Sequence, residues 1–215
     1  MRVQRTALGA AALTLIACGG SSSTAPGGQS TTPSLSITIA TEPVASGSTV
    51  QASATIKDAS GHVSPASNVT WSTSDAAIAF IDASGLITGR RSGTAIIRAT
   101  SAAVSGVHAV QVVAGPPASA TIYSGDAQQA NRGSNVTDPL CVLVTDAAGN
   151  PAQGTIVTYT VATGGGILSQ PTAPAAGING VAISGLWGLG SLLGEQTVIA
   201  SVAGVGSVTF KATAK

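Results

Sequence analysis

The chain has 215 residues, a formal net charge of +1, 44% hydrophobic residues, only 8% charged residues and 3% aromatic ones. Two of its nine basic residues, Arg2 and Arg5, lie near the start, so the remainder is slightly acidic. The clustered Lys and Arg that nucleic-acid binding needs are missing, which excludes that partner class.

The first segment, residues 1–17, opens "MRVQRT" and continues as a short apolar run to Ala17. A basic start and a short apolar stretch describe a secretory signal. The run falls short of the roughly 17–25 apolar residues of a membrane span. It ends in Leu15-Ile16-Ala17-Cys18, which resembles a bacterial lipobox. The resemblance implies cleavage before Cys18 and lipidation of its thiol and new amine. Acyl chains contribute about 0.8 kcal/mol per buried methylene, so the expected partner here is a membrane, held by an N-terminal lipid anchor. Gly19, in place of aspartate, implies by the enterobacterial sorting rule an outer-membrane destination. Residues 18–33, "CGGSSSTAPGGQSTTP", read as a lipidated cysteine and a flexible tether.

Short alternating strands then follow with turn residues at regular spacing, and no apolar helical period is sustained. The fold expected is all-β. In residues 34–114 "SLSITIA", "TVQASATIKD", "VTWSTSD", "IAFID", "LITG", "GTAIIRATS" and "VHAVQVVA" read as strands. The junction "AGPPASA" reads as a short hinge, since two prolines interrupt pairing. In residues 115–215 the strands are "SATIYSGD", "PLCVLVTD", "GTIVTYTV", "GVAISGLW", "EQTVIASV" and "SVTFKATA". Three turns share one design: Asp58–Gly61, Asp82–Gly85 and Asp146–Gly149. In each, aspartate accepts from nearby amides and glycine takes positive φ.

"VTWSTSDAAIAFIDASGLITGRRSGTAIIRAT" resembles the bacterial Ig-like domain group 2, through Trp-Ser-x-Ser/Thr-Asp, the Asp-x-x-Gly-Leu-x-Thr-Gly hairpin and the Gly-Thr-Ala strand start. "SGDAQQANRGS", "PLCVLVTDAAGNPAQGTIVTYTVATGGG", "NGVAISGLWGLG" and "EQTVIASV" resemble the group 1 domain of intimin and invasin type. The resemblance implies two tandem antiparallel sandwiches at a cell surface, serving as stalk or adhesive modules. Intimin-like proteins carry a membrane barrel before their repeats, whereas a lipid anchor is expected here. Because fold does not fix function, a structural or adhesive module is weighed against a lipoprotein that binds polysaccharide or peptidoglycan. An exposed row of aromatics would favour the latter, and smooth Thr/Ser faces a spacer. A protein or glycan partner at the surface is expected for the adhesive reading.

Catalysis is not expected. His62 follows a turn and His108 lies in an alternating strand, and no Gly-x-Ser-x-Gly elbow accompanies them. Calcium takes about six to eight oxygen ligands, and the carboxylates are scattered, with Asp126 and Asp138 the pair that could meet. "ATGGGIL" lies between strands, with no helix to receive a phosphate. No cofactor is expected. Trp71 and Trp187 fit core positions in the two families. Cys141 cannot form an intradomain disulfide once Cys18 is lipidated; either Leu140, Val142 and Val144 or Cys141 and Leu143 face the core, and the burial habit of free cysteine favours a buried thiol.

The hairpin "IAFIDASGLITGRR" supplies the candidate interaction patch: Phe80, Ile87, Arg90 and Arg91. A four-residue turn at Asp82–Gly85 would set Ile81 opposite Leu86, both inward, and Phe80 opposite Ile87, both outward. An exposed aromatic beside two guanidinium groups stands out on so weakly charged a surface.

Overall fold

A computed structural model describes residues 32–176 and 179–215. The signal, Cys18 and nearly all of the tether lie outside the described residues. The described residues are all-β and form two sandwiches in series, each with its own hydrophobic core. None of them forms a helix long and apolar enough to cross a membrane.

In the first sandwich one sheet runs in the order Ser34–Ile39, Thr49–Lys57, Leu86–Gly89, Ala79–Ile81, with Val63–Pro65 also paired to Thr49–Lys57. The facing sheet runs Val44–Ala45, Val104–Val113, Gly93–Ser101, Thr70–Thr73. Period-two alternation explains the layering. In Gly93–Ser101, Ala95, Ile97 and Ala99 are buried, while Thr94, Ile96 and Arg98 face solvent. The core is aliphatic, built on Leu35, Ile37, Ile81, Ile87, Ile97, Val110 and several alanines. Trp71 packs against it half-buried, with its indole beside Gly85, where a Cβ would meet it at 3.0 Å.

The second sandwich carries the larger side chains. One sheet runs Gln128–Ala130, Gly206–Ala214, Gly194–Val202, Ile156–Val161, Thr172–Pro174, with the first pair parallel. The other runs Pro117–Ser124, Cys141–Asp146, Val181–Ile183. Between them Trp187, Tyr159 and Phe210 are fully enclosed. The Tyr159 hydroxyl donates to the Ala182 carbonyl at 2.9 Å, satisfying the one polar atom that the ring brings inside. Burial raises the phenol above its ordinary range, with a smaller electrostatic contribution from nearby Cys141. The Trp187 indole N–H has no hydrogen-bond partner among the described residues.

Leu140, Val142 and Val144 are the set that enters this core, at no exposure. Cys141 therefore lies on the opposite face of its strand, yet it too is buried and free. Its neighbours across the ladders, Ser124 and Ile183, flank it on both sides.

Candidate functional site

The hairpin from Ala79 to Gly89 departs from the expected register. Asp82 and Leu86 are the closing pair, with the Asp82 amide donating to the Leu86 carbonyl at 3.1 Å and the Gly85 amide to the Asp82 carbonyl at 3.1 Å. The loop thus holds three residues rather than four, closed by Gly85 at φ +84°. Ile81 lies opposite Ile87 and Phe80 opposite Thr88. Ile87 consequently points inward and is completely buried, so it leaves the candidate patch. Leu86, expected inside, is half-buried at the turn beside Gln51. A one-residue change in loop length exchanges the two faces of a strand, and that is the whole cause of the correction.

Phe80 does lie outside, 39% exposed. The Arg90 guanidinium carbon stands 4.7 Å from its ring centroid, a cation–π contact. Arg90 is held there by its own backbone amide on the Ile78 carbonyl at 2.8 Å and by a guanidinium N–H on the Ala76 carbonyl at 3.2 Å. Arg91 goes elsewhere. It lines an open cleft of about 830 Å³ between the two sandwiches, together with Thr94, Gln111, Asn150 and Gln153. The four residues of the candidate patch are therefore divided among the surface, the core and the cleft.

The other residues singled out from sequence have structural partners. His62 is exposed, and its backbone amide donates to Asp58. His108 is half-buried with Nε2 3.2 Å from the Glu42 carboxylate. The Asp126 carboxylate accepts from the Lys211 amide at 2.8 Å. The Asp138 amide donates to the Gln128 side chain at 2.8 Å. Among the described residues no group of three or more His, Cys, Asp or Glu side chains could hold a metal ion.

Two features escaped the sequence. Ile167, on the short strand Ile167–Leu168, and Leu186, Leu192 and Leu193, on loops of the second sandwich, are exposed. Leu186 is placed by its neighbour Ser184, whose amide bonds the Leu140 carbonyl, at the end of the Cys141–Asp146 strand away from Asp146. The apolar letters of "SGLWGLGSLLG" were the available signal, but they read equally as core. Asp146 and Asn150 are the second feature. Both are 4% exposed, the only buried carboxylate and the only buried asparagine among the described residues.

The segment that carries the Phe80–Arg90 pair matches a family model. Residues 31–113 match the bacterial Ig-like domain, group 2. No curated protein matches the chain. Among solved structures the chain is similar to the Escherichia coli adhesin FdeC, at 21% identity, with a TM-score of 0.55, over 83% of this chain and 64% of that one. It is also similar to the Yersinia pseudotuberculosis adhesin InvE, at 17% identity and a TM-score of 0.39, over 85% of this chain and 60% of that one. A third, the D00-D0 domain of intimin, aligns at 15% identity and a TM-score of 0.44, over 82% of this chain and 98% of that one. At such identity the FdeC likeness speaks for the fold alone, an Ig-like all-β array, and the two weaker ones carry no argument. The segment that matches the group 2 model is followed by a second sandwich.

Proposed function

We propose that this chain is a lipoprotein of the bacterial cell envelope whose tandem Ig-like sandwiches form a non-catalytic structural or adhesive module at the surface. The observation that carries the reading is the group 2 match over residues 31–113 with a second sandwich in series behind it. The lipobox resemblance at Cys18 supplies the anchor, with the outer membrane as its destination. The second sandwich is read as an intimin/invasin-type group 1 domain, on the motifs quoted from its sequence.

The surfaces support a spacer with local contact sites over a saccharide platform. Thr158, Thr160, Ser201 and Thr209 are exposed on one sheet face. Of the large aromatics only Phe80 and Tyr123 are exposed, and they belong to different sandwiches. No aromatic row is formed among the described residues. Phe80 with Arg90 is the proposed contact point on the first sandwich.

The test uses the full chain expressed in a diderm bacterium and labelled with a clickable palmitate analogue. The wild type should take the label and fractionate with the outer membrane, and Cys18→Ala should lose both properties. An unlabelled wild type, or a Cys18→Ala chain that remains membrane-bound, contradicts the anchor. Binding to extracellular-matrix proteins and a glycan array then separates adhesion from a purely structural role. Phe80→Thr with Arg90→Ser should reduce any matrix binding while leaving the fold intact.

A further inference from the structure

The turn after strand Cys141–Asp146 holds more than its own hairpin. Inside the turn, Asp146 Oδ1 accepts from the amides of Ala148 at 2.9 Å and Asn150 at 2.8 Å. Its other oxygen, Oδ2, accepts from the Asn150 side-chain amide at 2.8 Å and from the backbone amide of Gly115 at 2.9 Å. Gly115 belongs to the connection between the sandwiches. Asn150 then reaches across into the first sandwich. Its Oδ1 accepts from the Ser92 amide at 2.9 Å, and its Nδ2 donates to the Arg90 carbonyl at 3.3 Å. That carbonyl also accepts from the Ser46 hydroxyl at 2.6 Å, a side chain buried in the first sandwich.

Three separate segments therefore meet on two side chains: the exit of the Phe80 hairpin, the connection, and the turn of the second sandwich. The connection itself is closely packed. A Cβ on Gly115 would come within 2.6 Å of the Ser46 carbonyl oxygen, so the residue type is dictated by the approach. The bonds are made by side chains that are each only 4% exposed, and a buried polar group left without its partner costs far more than an exposed one. Opening the joint would break three hydrogen bonds at once: Gly115 to Asp146, Ser92 to Asn150, and Asn150 to the Arg90 carbonyl.

We propose that Asp146 and Asn150 form an interdomain latch that holds the two sandwiches as one rigid body, so that the proline-containing connection does not act as a hinge. The latch fixes the walls of the cleft lined by Arg91 and Gln153. It also transmits the direction of the first sandwich to the exposed apolar loops at the far end of the second. The inference stands apart from what the module binds.

The experiment is a double electron–electron resonance measurement on the full chain with Cys18→Ala and Cys141→Ser, spin-labelled at Thr38→Cys and Thr209→Cys, one exposed strand position in each sandwich. The latched chain should give a single narrow distance distribution. Asn150→Ala should at least double its width while the proton NMR spectrum keeps the dispersion of both folded sandwiches. Because Asn150→Ala could destabilise its own turn, Ser92→Pro supplies a second arm. It removes the amide donor on the first sandwich without touching the 146–150 turn and should also broaden the distribution. A broad distribution before any latch substitution, or widths unchanged in folded Asn150→Ala and Ser92→Pro chains, overturns the proposal.

Discussion

The turns at Asp82 and Asp146 are the same object locally and different objects globally. In both, the aspartate amide bonds the carbonyl of the fourth residue onward, and the glycine amide returns to the aspartate carbonyl. In both, Oδ1 accepts from the second and fourth amides ahead, at 2.8 and 2.9 Å for Asp82 and at 2.9 and 2.8 Å for Asp146. The glycines sit at φ +84° and +82°. The difference lies in two positions. Asp82 has Ser84, whose hydroxyl adds a third bond to Oδ1, and then Leu86, which rejoins the sheet. Asp146 has Ala148 and then Asn150, which leaves Oδ2 for Gly115 and sends an amide into the neighbouring sandwich. A turn motif becomes a joint when its next residue can bond outward and its free carboxylate oxygen faces another segment.

The sharpest way to break the account of the Asp82 turn is to shorten the side chain that its register sends inward. Ile87→Ala should cost about 2–5 kcal/mol in urea denaturation, as large-to-small core changes do. A loss below about 1 kcal/mol would restore the four-residue turn and return Ile87 to the surface. The matching test at the other turn is Asp146→Ala. It leaves several buried donors without an acceptor, at about 1–3 kcal/mol for a typical orphan, and relaxation should bring the total to roughly 2–4 kcal/mol. A stability unchanged from wild type would mean that the joint is wet and loose.

Acid separates the turns next. Burial pushes the Asp146 carboxyl up, but the Asn150 side chain and the amides of Gly115, Asn150 and Ala148 outweigh it, and the net shift is downward. A carboxylate with a depressed folded value contributes stability that is present above its unfolded value of about 3.9 and is lost as pH falls through the folded one. Wild-type urea midpoints should thus fall below about pH 4, and Asp146→Asn should flatten that part of the profile. Asp58 and Asp82 are also lowered, chiefly by the hydroxyls of Ser60 and Ser84, but solvent screens them and their contribution to the slope should be small. An acid profile identical in wild type and Asp146→Asn would contradict the assignment.

The smaller effects fall on the outer face. Phe80→Thr removes a solvent-side cation–π contact of about 0.5–1 kcal/mol, so its thermal melt should move by only a few degrees. Asp82→Ala should cost less than Asp146→Ala and should leave the spin-label distance between the sandwiches unchanged. Broadening of that distance by Asp82→Ala would remove the distinction between the two turns.

Much of this was legible in the sequence because it depends on local chemistry. Alternation in "GTAIIRATS" reveals its buried face, and Asp-x-x-Gly reveals each turn, since both are set by residues a few positions apart. Register was not legible: three- and four-residue closures use the same letters, and the choice between them moved Ile87 from surface to core. Which face of "PLCVLVTD" meets the core was left open because Leu140 through Val144 are all apolar enough for either side. The latch was hidden for a different reason. Asn150 lies 58 positions from Ser92, and nothing in "DAAGNP" says which neighbour the turn will meet.

The claim that the third turn is a joint is tested most directly by amide hydrogen exchange, resolved by NMR on the unsubstituted folded chain. The amides of Ser92 and Gly115 lie in irregular segments outside any strand, but both donate to side chains buried at the joint. Local opening governs exchange in such segments. The latch predicts that both amides exchange as slowly as those in the strands of their sandwiches. Exchange as fast as that of the exposed turn amide at Ala83 would show the joint open and contradict the account.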